Sequence, residues 1–377
     1  MPRDASLSAD GFRYYSWPGG DTDLNRKYNA TQEMALLSVT SIRSLVGEPF
    51  QLVAWKIANV VNLAMGTRKV TRIGPRGGIN KVLVKDGPFP GEFVTRMMES
   101  RGNEEKLDLV RKWLRETADE PRDVAAVRGS VVHKMIEANT PLSRANAAAV
   151  HLWFENQWKL ERRKVKPDIT DEDVDFVVNC MRQYWNMRVH VPFVILAQEP
   201  QVWAPTLGYG GSADVLVWFL GDCDAAGNFV PLPGVDINEM IHWQSEAAHG
   251  RVTLETIAET GGTVALGDWK TAVGINTSHI VQGTAYMAAE FVASAGIIDE
   301  RLTDILRASR RGMIIHIRPN QCTVDFFDFN ADVVYAFYGS VAFARFLARY
   351  PKPDELFTHS ISMTAPGTES STKEDDD

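Results

Sequence analysis

The sequence contains little cysteine. Its three cysteines, Cys180, Cys223 and Cys322, are widely spaced and form no C-x-x-C pair. Structural zinc sites and iron–sulfur clusters take four closely arranged ligands, with cysteine usually among them. Disulfide scaffolds need a dense, paired set of cysteines in an oxidising compartment. We therefore expect no structural zinc site, no iron–sulfur cluster and no disulfide framework.

Long apolar runs are also missing. No segment reaches the length of a membrane-spanning helix, and residues 1–5 do not begin the apolar core of a signal peptide. These absences predict a cytoplasmic protein without a membrane partner. The chain has 377 residues, 45% of them hydrophobic, which is enough for a large core and exceeds one typical domain.

The chain also lacks the positive net charge that is common in proteins that bind nucleic acid. Its formal charge is −8. The segment 366–377 contributes −4 of this, because it holds five acidic residues and one lysine. Its composition predicts a disordered acidic tail. The remaining −4 includes candidate metal-binding carboxylates, so the acidic total does not exclude a DNA partner.

Positive charge is concentrated between residues 68 and 85, where no acidic residue occurs. The basic residues of this segment are Arg68, Lys69, Arg72, Arg76, Lys81 and Lys85. The stretch GPRGG at 74–78 predicts a flexible turn whose backbone can approach phosphates. One interpretation is a β-hairpin or loop that grips DNA, and the other is a solvated basic face.

Two strand-like runs carry carboxylates. Asp214 lies in the run Gly211–Trp218, and the run Ala265–Thr271 contains Asp268 and Lys270. The two-residue spacing of Asp268 and Lys270 puts both side chains on the same face of a strand. Phosphodiester hydrolysis uses such a set, because a carboxylate-held divalent ion activates water while a lysine stabilises the transition state.

Hard oxygen ligands favour Mg²⁺ in such a site. A third carboxylate is expected nearby, and the best candidate is Glu199, which follows the apolar stretch 191–197. Asp222 and Asp224 are alternatives for this third position.

Five short motifs follow one another along the chain. They are GSVVH at 129–133, Glu199, GSAD at 211–214, DWKT at 268–271 and QGTAY at 282–286. In this order they resemble the RecB-like branch of the PD-(D/E)XK nuclease superfamily, of the phage type, over roughly residues 125–320. The resemblance implies an α/β fold with a restriction-endonuclease-like core, in which helices flank a central mixed β-sheet.

The resemblance also implies roles for single residues. Asp214 and Asp268 would bind Mg²⁺ or Mn²⁺ with support from Glu199, His133 would add a metal ligand, and Lys270 would be the catalytic lysine. Gln282 and Tyr286, four residues apart on one helical face, would lie beside the active site and either touch the DNA backbone or order the lysine.

Structural interpretations of the same residues remain open. Asp214 alone is compatible with a carboxylate at a strand end, and His133 lies among apolar residues where a histidine often packs or caps a helix. Gln282 and Tyr286 are equally compatible with the polar rim of an amphipathic helix.

The sequence departs from the family at two points. Residues 221–262 separate the two aspartates where relatives have a tight hairpin, and we interpret them as an insertion over the site, with loops and a short helix at 238–248. The second departure is the absence of the four cysteines with which some relatives hold an iron–sulfur cluster.

Two regions are expected besides the acidic tail at 366–377. Residues 1–120 are predicted to form a mostly helical N-terminal region with the basic loop 68–85, including helices at 38–47, 50–65 and 104–117. This region is similar to the part of phage nucleases that arches over the site. Residues 121–350 are predicted to form the nuclease core, with strands beside Glu199, Asp214 and Asp268 and at 313–317.

These observations predict a metal-dependent DNA exonuclease of phage recombination or DNA processing, acting in the host cytoplasm. Its partner would be linear duplex or single-stranded DNA, with an annealing protein or a helicase as a further partner. An endonuclease of the same fold and a catalytically inactive DNA-binding recombination protein are the alternatives.

Overall fold

The computed structural model describes residues 6–7, 13–16, 35–45, 68–73, 79–84, 90–101, 103–160, 169–272, 274–294, 297–309 and 311–349. The strands are β1 Ser6–Leu7, β2 Arg13–Ser16, β3 Ala35–Ser38, β4 Arg68–Ile73, β5 Ile79–Val84, β6 Phe193–Gln198, β7 Gln201–Ala204, β8 Tyr209–Ser212, β9 Val215–Phe219, β10 Gly221–Cys223, β11 Phe229–Pro231, β12 Thr263–Lys270, β13 Phe291–Ser294, β14 Ile297–Ile298, β15 Arg311–Arg318 and β16 Gln321–Asp328.

The α-helices are α1 Val39–Leu45, α2 Pro90–Glu99, α3 Glu104–Glu137, α4 Ala147–Leu160, α5 Asp171–His190, α6 Ile237–Ala248, α7 Leu254–Thr260, α8 Thr277–Met287, α9 Glu300–Ala308 and α10 Ala331–Arg349. None of these helices is long and apolar enough to cross a membrane.

A five-stranded sheet in the order β16-β15-β12-β9-β6 forms the centre of the fold. The strands β12 and β15 are parallel, and every other neighbouring pair is antiparallel. Four of its strands are the predicted ones, beside Glu199, Asp214 and Asp268 and at 313–317, whereas the edge strand β16 was not predicted. The α/β class is therefore confirmed.

The centre of the sheet is buried because helices cover both of its faces. All five residues of β9 are buried. Val215, Val217 and Phe219 pack into a core cluster with α3 and α5, whereas Leu216 and Trp218 pack into a second cluster with α8 and α10. A strand covered on both faces is apolar without alternation, which explains the continuous VLVWF run.

A second sheet joins the N-terminal region to the rest of the protein, in the order β1-β2-β3-β8-β7-β13-β14. The strands β1–β3 were not predicted, since this region was expected to be mostly helical. Short strands give a weak local signal, and β3 is fixed by distant residues, for example through the parallel pairing of Leu37 with Tyr209.

The predicted N-terminal helices are present in altered form. The helix expected at 38–47 is α1, whereas 50–65 lies outside the described residues. The helix expected at 104–117 was predicted too short, because α3 continues through Pro121 to Glu137 and includes His133. The acidic tail at 366–377 lies outside the described residues.

The basic segment contains a two-stranded antiparallel hairpin of β4 and β5, with Arg68 opposite Val84. Its turn, including Arg76, lies outside the described residues, as does Lys85.

The insertion 221–262 forms a β10–β11 hairpin and the helices α6 and α7, and the predicted helix at 238–248 is confirmed by α6. Its expected position over the site stays a prediction, and both of its ends attach away from the two aspartates. It leaves β9 after Phe219 and enters β12 at Thr263, and these two residues pair at the strand end opposite Asp214 and Asp268.

The helix α6 of the insertion instead covers the sheet edge at β6. Gln244 accepts a hydrogen bond from the Ile195 N–H at 2.9 Å and donates one to the Ile195 carbonyl at 3.1 Å. These bonds satisfy backbone groups at a β-bulge in β6 that would otherwise be exposed at the sheet edge.

Candidate active site

The pairing of β9 with β12 brings the two aspartates to one end of the central sheet. Val215 lies opposite Gly267, so Asp214, just before β9, and Asp268, near the end of β12, are adjacent. The Asp214 N–H donates to the Gly267 carbonyl at 3.2 Å. Two carboxylates from distant parts of the sequence therefore lie together at this end.

The carboxylate of Asp214 is held by the backbone of the DWKT motif. Its Oδ2 accepts a hydrogen bond from the Trp269 N–H at 2.8 Å. Burial, and next the negative charge of Asp268, raise the pKa of Asp214 well above its usual value, although Lys270 and the Trp269 N–H oppose this. Two carboxylates so close together favour a cation beside them.

Lys270 neutralises Asp268 in this structure. Its Nζ lies 2.9 Å from Asp268 Oδ2, and the Asp268 side chain is only 7% exposed. Both side chains lie on one face of β12, as their two-residue spacing predicts. A buried carboxylate with an ammonium partner is stable, whereas the same carboxylate alone would be costly.

His133 reaches the two aspartates from α3. Its Nδ1 lies 3.6 Å from Asp214 Oδ2. Burial, and next the positive charge of Lys270, lower the pKa of His133 to about 4. The imidazole is therefore neutral at pH 7, the form in which histidine binds a metal. This contact places the His133 ring beside a candidate ligand, and the role of His133 as a metal ligand stays a prediction.

The glycine of the GSVVH motif has a steric role. A Cβ on Gly129 would lie 2.7 Å from Thr271 Oγ1, the last residue of the DWKT motif. Gly129 and His133 are one helical turn apart and so lie on the same face of α3. The small residue lets α3 approach β12 closely enough for His133 to reach Asp214.

Glu199 lies next to the site but points its carboxylate at a different partner. Its N–H donates to the Asp214 carbonyl at 2.9 Å, and its Oε1 lies 2.8 Å from Lys134 Nζ. Its side chain is 56% exposed. Its φ of 47° is in the left-handed region, which costs a non-glycine residue about 1–3 kcal/mol and is found preferentially at functional sites.

Asp222 and Asp224 do not replace Glu199, because they follow the opposite end of β9. Asp222 pairs with Arg311 at 2.9 Å, and Asp224 accepts hydrogen bonds from the Ala226 and Asn228 N–H groups in a turn. Both therefore have structural partners away from the two aspartates of the candidate site.

Lys134 and Glu137 belong to this cluster, and sequence reasoning missed them. Lys134 Nζ contacts Glu137 Oε2 at 2.6 Å as well as Glu199. Burial alone would lower the pKa of Lys134, but its two carboxylate partners raise it. Burial raises the pKa of Glu137. The sequence signal that could have identified Glu137 was its i, i+4 spacing from His133, which places both residues on one helix face.

Gln282 and Tyr286 are buried in α8, so their interpretation as a polar rim is wrong. Gln282 Nε2 donates to Tyr286 Oη at 2.8 Å. A Cβ on Gly211 would lie 2.6 Å from Tyr286 Cε1. The glycine of the GSAD motif is therefore the surface on which the tyrosine of the QGTAY motif packs, three residues before Asp214.

Arginines surround the other end of the DWKT motif. Arg318 Nη1 donates to the Thr271 carbonyl at 2.6 Å, and Arg128 lies over the Phe176 ring at 4.5 Å. Burial lowers the pKa of Arg318, although the group stays charged at neutral pH. The candidate DNA-contacting residues Arg68, Lys69, Arg72 and Lys81 lie in the hairpin strands, where the structure describes the backbone alone.

The donor set fits a hard divalent ion in chemistry, because it offers carboxylate oxygens and a neutral imidazole. In the described part of the chain, however, no three His, Cys, Asp or Glu side chains are already arranged around one point. Asp268 forms a salt bridge with Lys270, and Glu199 forms one with Lys134. A metal ion that took Asp268 Oδ2 or Glu199 Oε1 as a ligand would displace the ammonium group from that oxygen.

No protein-family model matches this chain, and no curated protein matches it. The function is therefore inferred from the residues and contacts described above.

Proposed function

We propose that this protein is a Mg²⁺- or Mn²⁺-dependent DNA exonuclease that hydrolyses phosphodiester bonds. One observation carries the proposal: residues that lie far apart in the sequence meet at one end of the β9–β12 pair. His133, Asp214, Asp268 and Lys270 are linked there by direct contacts of 3.6 and 2.9 Å and by mutual electrostatic effects.

Asp214 and Asp268 would hold the ion, His133 would complete its ligands, and Glu199 would support them. The bound ion supplies a water of lowered pKa and screens the phosphate charge. The Trp269 N–H fixes one Asp214 oxygen, which orients the carboxylate before substrate arrives. Lys270 carries a positive charge to the place where negative charge develops on the phosphate, and such preorganised donors stabilise the transition state.

The proposed substrate is linear duplex or single-stranded DNA. The hairpin of β4 and β5, with its excess of positive charge, is a candidate grip on the phosphate backbone. The resemblance to phage nucleases favours an exonuclease of recombination or DNA processing in the host cytoplasm, with an annealing protein or helicase as a further partner. A PD-(D/E)XK core around the central mixed sheet is part of the same proposal.

The experiment measures acid-soluble nucleotides released from linear and from closed circular DNA, with Mg²⁺, with Mn²⁺ and with a chelator. Lys270→Ala is compared with Lys112→Ala, which changes an exposed lysine in α3. We expect metal-dependent loss of linear DNA that falls by about a hundredfold or more in Lys270→Ala, the usual effect of removing a transition-state donor. Lys112→Ala should retain the native rate.

Cutting of closed circles would assign the site to an endonuclease. Equal rates for Lys270→Ala and the native protein would refute the proposed site. Absence of activity on every substrate would leave the inactive DNA-binding alternative, and calorimetric titration with Mn²⁺ would then separate a functional metal site from a decayed one.

A further inference from the structure

A cleft of about 660 Å³ lies beside the candidate active site but outside it. Its walls come from α5, from β6 and from the insertion helix α6, and Glu137 lies at its border with the cluster around Lys134. Cavities of a few hundred to a thousand cubic ångströms are the size that holds small organic ligands. The insertion thus covers the sheet edge and also builds one wall of a ligand-sized cleft.

The cleft contains a buried cation that has no anionic partner among the described residues. Arg188 lines it and is only 8% exposed. Its guanidinium donates to the Phe193 carbonyl at 2.9 Å and stacks on the Phe193 ring at 4.3 Å, whereas its Nε has no hydrogen-bond partner. In the residues that the structure describes, no carboxylate lies within ion-pair distance of it. An unpaired buried charge is costly.

The charged residues that line the cleft are two arginines, Arg188 and Arg301, and one glutamate, Glu137. The guanidinium of Arg301 donates to the Val252 carbonyl at 3.0 Å, with Asp299 at 3.9 Å. The carboxylate of Glu137 contacts Lys134 at 2.6 Å, and Glu199 shares this lysine at 2.8 Å. An anion in the cleft would offset the uncompensated charge of Arg188, and arginine binds phosphate with particularly favourable geometry.

The remaining walls suit an aromatic, uncharged group. Trp185 lies next to Arg188 in the cleft, with its Nε1 donating to the Thr140 carbonyl at 3.0 Å. Met240 and Ile241 line the cleft from α6, and Met240 Sδ lies 3.9 Å from Arg188 Nη2. Aromatic and thioether side chains favour flat aromatic ligands such as nucleobases.

We propose that this cleft binds a nucleoside monophosphate, with the phosphate at Arg188 and the base against Trp185 and Met240. The ligand is a free mononucleotide or the terminal nucleotide of a DNA strand, which present the same chemistry. Nucleotide binding at the cleft does not depend on phosphodiester hydrolysis. A negative result in the binding test can therefore be distinguished from a negative result in the nuclease assay.

The test is calorimetric titration of the full chain carrying Lys270→Ala, which keeps DNA uncut, with deoxyadenosine monophosphate. Deoxyadenosine, inorganic phosphate and a 5′-phosphorylated oligonucleotide are the comparison ligands. We expect the monophosphate to bind at least about tenfold more tightly than the nucleoside or phosphate alone. Tighter binding of the oligonucleotide than of the free nucleotide would assign the cleft to a strand end, and the reverse to a free nucleotide.

Two variants of α6 locate the site without disturbing the core. Ile241→Glu puts a negative charge at the cleft, whereas Ile237→Glu makes the same change outside the cleft lining, and both isoleucines are 60% exposed. Ile241→Glu should weaken binding about tenfold and Ile237→Glu should leave it unchanged. Arg188→Gln should abolish binding while thermal unfolding shows that it still folds.

Three outcomes would overturn the proposal. They are an absence of binding at millimolar monophosphate, equal affinity for nucleoside and monophosphate, and equal effects of the two isoleucine substitutions.

Discussion

Replacing Gly211 with alanine tests the interpretation that the glycine of the GSAD motif is a packing surface. The added Cβ would lie 2.6 Å from Tyr286 Cε1 and 3.1 Å from Val39 Cγ2. Real Cβ atoms essentially never approach another atom within 3.0 Å. The ring cannot move away easily, because Tyr286 is buried and hydrogen-bonded to Gln282.

The size of the effect follows from this geometry. The contact with Tyr286 is about 0.8 Å shorter than the 3.4 Å at which ordinary van der Waals contact begins. Overpacking a well-filled core by one methyl group costs about 1–3 kcal/mol. We therefore expect Gly211→Ala to lower the free energy of unfolding by about 2 kcal/mol, since two neighbouring side chains are affected.

Urea denaturation followed by tryptophan fluorescence measures this change. Gly339→Ala is the control, because its Cβ meets nothing within 4 Å and alanine should stabilise α10 by up to about 1 kcal/mol. In the double variant with Tyr286→Ala the steric clash is absent. The double variant should therefore lose less free energy of unfolding than the sum of the losses of the two single variants. Strict additivity, or an unchanged stability of Gly211→Ala, would refute the packing role.

Three further predictions concern other parts of the molecule. Gly262→Ala should lower the free energy of unfolding by more than about 2 kcal/mol, since φ is 93° and the new Cβ would lie 2.2 Å from the Phe219 carbonyl oxygen. Gly227 has a similar φ but open space around it, so urea denaturation of Gly227→Ala should show a smaller loss of stability. Lys134→Met should lower the unfolding free energy by about 1 kcal/mol, because two carboxylates lose their shared cation; an unchanged denaturation midpoint would show that solvent already screens them. Burial raises the pKa of Cys180 to about 12, so at pH 8 this thiol should react with Ellman's reagent only after unfolding while exposed Cys223 reacts at once; fast reaction of Cys180 in the folded protein would contradict its burial.

Four of the five strands of the central sheet were predictable because each is a short apolar run bounded by polar or turn residues. Carboxylates also lie just before β9 and near the end of β12. The fifth strand, β16, alternates apolar with polar residues and was not predicted. The strands β1–β3 gave no comparable signal, because their pairing depends on β8, which is far away in the sequence. The continuation of α3 through Pro121 was not predicted, and a proline in a helix interior usually ends or kinks the helix.

The sequence identified most residues of the candidate site, but it did not predict which of their side chains contact one another. The ordered motifs identified His133, Asp214, Asp268 and Lys270, whose contacts the structure shows. They did not indicate Lys134, since one lysine on a helix is usually a solvated residue. The position of the insertion was also unpredictable, because a segment between two strands gives no sign of the surface on which it packs.

The sequence by itself determined which chemical groups are present and the local spacing that places them. Asp268 and Lys270 share a face of one strand because side chains alternate along a strand, and Gly129 and His133 share a face of one helix because four residues make about one turn. Tertiary structure alone decided which charges meet: Lys134 joins Glu137 to Glu199, and Arg188 lines a cleft with no carboxylate partner among the described residues. The physical reason is that these contacts join separate elements, whose relative positions are fixed by core packing on both faces of the sheet.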